Sequence, residues 1–125
     1  MEVNEVTGVI LDAAMKVHSF LGAGLLETTY EVCLMHELRK RGLNVLSQES
    51  LPVIYDGVHI DAGYKIDLLV ESTAVVELKA IEKLLPVHEA QLLSYLKLSG
   101  HKVGFLINFN VPHLKDGIKR MANKL

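Results

Sequence analysis

The hydrophobic period of this chain switches from helical to strand-like after the first forty residues, and that switch limits which folds are open to it. Through residues 2–20, Val3, Val6, Ile10, Ala13, Val17 and Phe20 recur at alternating three- and four-residue steps. That spacing lines one side of an α-helix. After Gly22-Ala23-Gly24 a second helix is expected from Leu25 to Arg41, with Arg39, Lys40 and Arg41 suiting the negative end of its dipole and Gly42 stopping it. Beyond Gly42 the apolar runs shorten. Leu43–Ser47, Leu51–Tyr55, Val58–Ile60, Tyr64–Val70 and Ala74–Ile81 predict strands, and Asp56-Gly57 between two of them predicts a hairpin turn. Pro86 opens a helix that Gly100 closes, Lys102–Asn110 returns to strand, and a short helix from Pro112 to Lys124 is expected to finish the chain. The resulting order, α-α-β-β-β-β-β-α-β-α, predicts an α/β (α+β) architecture in which helices flank a mixed β-sheet.

Composition narrows the function classes. At 125 residues, half of them hydrophobic, the chain fits one domain spanning 1–125. Such a domain buries about two-thirds of its unfolded surface. The apolar stretch around Phe20–Leu26 is far too short to span a bilayer, and the acidic start (Glu2, Glu5, Asp12) is unlike a secretory signal. A lone cysteine, Cys33, excludes an internal disulfide and a cysteine-built zinc cluster; it reads as a small core residue. A cytoplasmic protein with no membrane partner is therefore expected. A net charge of −2 argues against a general coat for duplex nucleic acid, and the apolar excess suggests a homodimer. His18, His36, His59, His88, His101 and His113 lack zinc spacing. Gly22-x-Gly24-x-x-Glu27 fails as a dinucleotide loop, because it follows a helix and carries Glu in place of the third glycine. Lys115, Lys119, Arg120 and Lys124 against one Asp116 make the last segment basic, the best candidate for touching a phosphate backbone.

The chemistry-bearing residues lie where strands are expected. Glu77 and Lys79 are two apart and share one strand face, while Leu78 points to the other. A hairpin pivoting near Ser72 sets Asp67 opposite Glu77, with Cβ atoms roughly 5 Å apart. Two carboxylates that close both ionise only with a cation between them, and a hard divalent ion takes such oxygen ligands. The plainer alternative is a structural salt bridge from Lys79 to Glu77 or Asp67, and for Asp…Glu-x-Lys alone it is the better reading. The neighbours shift that balance. Gln91 and Tyr95, with His88 three residues earlier, share one face of the helix that follows. Gly24, Glu27 and Tyr30 recur at three-residue steps where the second helix opens.

Taken in order, Gly24-x-x-Glu27-x-x-Tyr30, Asp67, Glu77-Leu78-Lys79 and Gln91-x-x-x-Tyr95 resemble the GxxExxY protein family, within the PD-(D/E)xK nuclease-like (restriction-endonuclease-like) superfamily, from about Val3 to Leu125. The resemblance implies a restriction-endonuclease-like core and a nuclease dependent on one or two Mg²⁺ or Mn²⁺ ions. It assigns Glu27, Asp67, Glu77 and the Leu78 carbonyl to the metal, Lys79 to catalysis, and Gln91, Tyr95, Tyr30 and His88 to support. His18 also resembles the family pattern, without a role. Ile66 stands where the superfamily loosely keeps a proline before Asp67. The expected substrate is nucleic acid, DNA before RNA, at ends or in single strands. Two rivals remain: a non-catalytic nucleic-acid- or partner-binding module on the same fold, and a carboxylate-pair glycosidase. The glycosidase ranks last, since the chain has no Trp for sugar stacking and would leave Lys79 idle.

Overall fold

The computed structural model describes residues 1–123. Helices α1 (Val3–Leu21) and α2 (Glu27–Lys40) precede strands β1 (Val45–Ser50), β2 (Val53–Tyr55), β3 (Val58–Ile60), β4 (Lys65–Val70) and β5 (Ala74–Lys79). Helix α3 (Pro86–Ser99), strand β6 (Val103–Asn108), a single 3₁₀ turn (Leu114–Gly117) and strand β7 (Ile118–Ala122) complete it. Five strands form one sheet in the order β1-β4-β5-β6-β7, and β2 with β3 form a separate hairpin. Only β5 and β6, joined through α3, run parallel; the other neighbours are antiparallel. Three helices on a mixed sheet give the expected α+β, restriction-endonuclease-like fold. No helix among the described residues is long and apolar enough to cross a membrane.

Two apolar clusters hold the layers together. On one face Val6, Ile10, Ala13 and Val17 of α1 and Tyr30, Leu34 and Leu38 of α2 pack on Val76, Leu78, Phe105 and Ile107. On the other, Leu92, Tyr95 and Leu96 of α3 pack on Ile66, Leu69, Val75 and Leu106. The helical stripe read from sequence holds as far as Val17. Phe20 then swings out, 88% exposed, and Leu21, four residues beyond Val17, packs in its place. Helix α3 reaches β6 closely because Gly104 has no side chain: a Cβ there would press on Leu92.

The closing helix expected over Pro112–Lys124 is absent as far as the described residues extend. Its place is taken by the 3₁₀ turn and β7, which pairs with β6 from Val103↔Ala122 to Ile107↔Ile118. The reason lies in β6, all six of whose residues are buried and whose outer backbone groups need partners. Strand alternation also suits the side chains. Ile118 packs on the α1–α2 cluster and Met121 on the α3 cluster, while Arg120 lies over the Phe105 ring at 6.0 Å. Lys124, counted in the basic run, lies outside the described residues.

Where the 3₁₀ turn meets β6, a Cβ on Gly117 would run into the backbone carbonyl oxygen of Asn108, whereas one on Gly8 in α1 would meet nothing within 4 Å. Gly117→Ala should therefore destabilise the protein by about 1–3 kcal/mol. Gly8→Ala should stabilise it by roughly 0.5–1 kcal/mol through helix propensity. Thermal melts of both variants check this; a Gly117→Ala protein as stable as the parent would contradict the close approach.

Candidate active site

The β4–β5 hairpin turns at Glu71-Ser72-Thr73, with Val70 opposite Ala74 and Leu68 opposite Val76. Continuing that register sets Asp67 against Glu77, as the sequence predicts. The ladder, however, stops one pair short, and side chains take over. Glu77 Oε2 accepts the backbone N–H of Asp67 at 2.8 Å, and Asp67 Oδ2 accepts the backbone N–H of Leu78 at 2.9 Å. Each carboxylate thus caps the strand that carries the other. Packing changes at the same point: Ile66 belongs to the α3 cluster, whereas Leu68 belongs to the α1–α2 cluster. In a regular strand these two would face the same way, so the alternation slips at Asp67.

Burial makes this pair electrostatically unusual. Glu77 is only 4% exposed. Loss of water is the main force raising its carboxyl, the charge of Asp67 adds to it, and together they push it up to about 8 against the partial relief of the Asp67 N–H and of Lys79. Lys79, half-buried at the end of β5, forms no ion pair among the described residues. The ion pairs there are Lys16–Glu37, Arg41–Asp12 and Arg41–Glu37, all between or along α1, α2 and the turn after α2. The salt-bridge alternative is therefore not what the structure contains: the lysine is close enough to bias Glu77 and Glu27 but is committed to neither.

Glu27 opens α2, and the residues around it explain the Gly-x-x-Glu-x-x-Tyr spacing. Gly24 adopts φ +97°, a conformation that disfavours a side chain. Tyr30, fully buried, stacks on Phe109 at 4.6 Å and sends its hydroxyl back into the loop. That hydroxyl donates to the Gly22 carbonyl at 2.6 Å and accepts the Leu25 N–H at 3.1 Å. The tyrosine thus braces the loop that delivers Glu27. Burial raises the Glu27 carboxyl, Asp67 adds to the rise and Lys79 opposes it. Glu27 remains solvent-accessible, so water screens much of this.

On the α3 side Gln91 Nε2 donates to the Tyr95 hydroxyl at 3.2 Å, so the expected polar pair is formed. Burial, then the Glu77 charge, raises that hydroxyl's pKa. His88 acts on its own helix, where its Nδ1 accepts the Leu85 N–H at 2.9 Å and caps α3. It also lines, with Lys79, Gln91 and Ser94, a depression of about 480 Å³. His18 lies elsewhere, its Nε2 bonded to the Val111 carbonyl at 2.8 Å. Lys119 and Arg120 are successive strand residues and point to opposite faces, so the basic segment is no single helical stripe.

Three contributors escape the sequence reading. Gln48 lies across β1 from Asp67 with φ +53°. It donates through Nε2 to Asp67 Oδ1 at 3.3 Å and to both oxygens of Glu31 at 3.0 and 3.1 Å. Glu31 was findable, since it follows Glu27 by four residues on the same helix face. Burial raises its carboxyl while Gln48 lowers it. Asn108, buried in β6, brackets Ile81 just past Lys79. It accepts the Ile81 N–H at 3.1 Å and donates to the Ile81 carbonyl at 2.9 Å. Nothing in the sequence pattern marks it.

Among the described residues no three His, Cys, Asp or Glu side chains are gathered closely enough to hold an ion, so Glu27 is not drawn into one ligand set with Asp67 and Glu77. The donor chemistry nevertheless fits a hard divalent cation. The oxygens are carboxylates, and burial with the Asp67 charge raises the Glu77 carboxyl, an effect that a nearby cation would oppose.

A family model described as the PD-(D/E)XK nuclease superfamily matches residues 4–121. No curated protein and no solved structure matches the chain.

The Glu77 carboxyl fixes the sign of a pH effect. Its folded value, about 8, lies above the ordinary 4.5. Between those two values the unfolded chain has released a proton that the folded protein retains. Stability therefore falls as pH rises through that window, at a cost on the order of a few kcal/mol. In a chelator, the melting temperature should drop from about pH 5 to pH 8, and Glu77→Gln should flatten the drop. Parallel pH profiles for the two proteins would show that Glu77 is not the group responsible.

Proposed function

The chain belongs to the PD-(D/E)XK nuclease superfamily, and from that premise we propose that it is a divalent-metal-dependent nuclease hydrolysing phosphodiester bonds in nucleic acid. The observation that carries the reading is the interlocked Asp67–Glu77 pair with an uncommitted Lys79 beside it. Asp67, Glu77 and the Leu78 carbonyl would hold the ion, with Glu27 as the outer acid. A divalent ion there supplies charge neutralisation on phosphate oxygens and lowers the pKa of a bound water. Lys79, which forms no ion pair among the described residues, is available to hydrogen-bond the attacking water or the phosphoryl oxygen that gains charge. Asn108 fixes the turn behind Lys79, and Gln91 with Tyr95 lines the α3 side.

Membership among GxxExxY proteins is part of the same reading, supported by Gly24 and Tyr30 acting together to place Glu27. So are a cytoplasmic location, supported by the free Cys33, and contact of Lys115 and Lys119 with the substrate backbone. DNA ends or single strands suit the open sheet end better than an intact duplex.

A second reading, a binding module without catalysis, has one observation in its favour: three of the four Asp67 and Glu77 carboxylate oxygens already accept hydrogen bonds. Two measurements separate the readings. In Mn²⁺, Lys79→Ala and Glu77→Ala should each cut cleavage of labelled DNA by about 10²-fold or more. Equal cleavage by all three proteins would mean a contaminant, not this site. Mn²⁺ should also raise the melting temperature of the parent and of Lys79→Ala but not of Glu77→Ala; no rise in the parent would favour the binding module.

A further inference from the structure

Between the β2–β3 hairpin and the start of β4 runs a groove of about 450 Å³, lined by residues that include Ser50, Pro52, His59, Tyr64 and Lys65. That volume is of the size that holds a small planar group. Its two walls are tied where the Leu51 N–H donates to the Tyr64 carbonyl at 2.9 Å. Tyr64 is 46% exposed, yet its ring is not free to wander: it meets Tyr95 edge to face, with centroids 6.1 Å apart and planes at 61°. Tyr95 in turn bonds Gln91 and feels the charges of Glu77 and Asp67. Ring contact therefore runs from the groove through Tyr64 to Tyr95, which lies within the electrostatic reach of the carboxylates. Lys65 is exposed and precedes Asp67 by two residues, about 7 Å along the strand. The one acid on the groove wall, Asp61, turns its carboxylate to the Gly63 N–H at 3.3 Å.

A half-exposed aromatic ring of fixed tilt, followed by a cation and then by the reacting carboxylates, matches the parts that bind an unpaired strand: a surface for the base and a charge for the phosphate. We propose that this groove is a subsite for one unpaired nucleobase of the substrate, stacked on Tyr64, with Lys65 on the adjoining phosphate. It rests on the nuclease reading above and adds that the strand enters past the β2–β3 hairpin.

The test compares the parent protein with Tyr64→Ala, Tyr64→Phe and Lys65→Ala on a short single-stranded oligothymidylate and on the same strand made abasic. Tyr64→Ala should raise KM about tenfold (~1.4 kcal/mol) on the intact strand, with kcat within a few-fold. Tyr64→Phe should restore KM, and the abasic strand should abolish the difference between Tyr64→Ala and the parent. Lys65→Ala should weaken binding of both strands alike and reduce the salt dependence of affinity. An active parent with an unchanged KM in Tyr64→Ala overturns the subsite alone. So does a KM rise that persists on the abasic strand, because it would reflect disturbed packing on Tyr95. If the parent does not cleave, the nuclease reading falls, and anisotropy with the labelled strands decides the subsite: equal affinity in the parent and Tyr64→Ala overturns it.

Discussion

Two carboxylates occupy places in a β-ladder where backbone carbonyls would ordinarily accept. The exchange between Asp67 and Glu77 is the constraint on which the rest of the candidate site depends. It lets β4 and β5 separate without orphaning their N–H groups, which matters because Leu78 is fully buried and Glu77 nearly so. It also confines both carboxylates to one geometry, at the cost of holding one of them in its neutral form. The surrounding structure creates that cost: the apolar sheet and the α3 residues packed over it exclude the water that would favour the charged form.

Around this pair the supporting contacts divide by what they hold. Tyr30 and Gly24 place the head of α2, Asn108 pins the chain beyond Lys79, and Gln48 joins Glu31 to Asp67 across the edge strand. Gln48 does so in a left-handed backbone conformation, at the one position in β1 that faces Asp67. Strain of that sort, of order 1–3 kcal/mol, persists only where neighbours fix it. Its occurrence beside the carboxylates fits a segment shaped by more than sheet pairing.

Much of this was legible in the sequence, for reasons that also explain what was not. α3 reads correctly from Pro86 to Ser99 because proline and glycine mark both ends. The setting of Asp67 against Glu77 reads correctly because a short turn at Glu71-Ser72-Thr73 fixes the register of the two strands, although the alternation then slips at Asp67. The last element was misread because Lys115, Lys119, Arg120 and Met121 carry no decisive period. What made them a strand was the unpaired edge of β6, a tertiary demand invisible in the local pattern. Gln48 and Asn108 were unreadable for a related cause: an amide on a strand has no periodic signature, and its importance comes from what lies across the fold. The role of Tyr30 was half visible. Its spacing marked it, but only the fold shows that its hydroxyl serves the loop behind it.

The slip in alternation at Asp67 carries a consequence for how such a protein can change. With Ile66 seated in the α3 layer and Leu68 in the α1–α2 layer, the aspartate is suspended between two separately packed bodies. Neither body alone sets its position. A substitution that repacks either layer therefore reaches the aspartate through Ile66 or Leu68. The seam is the place where the two layers are mechanically joined, and neither helical face can be reworked independently of it.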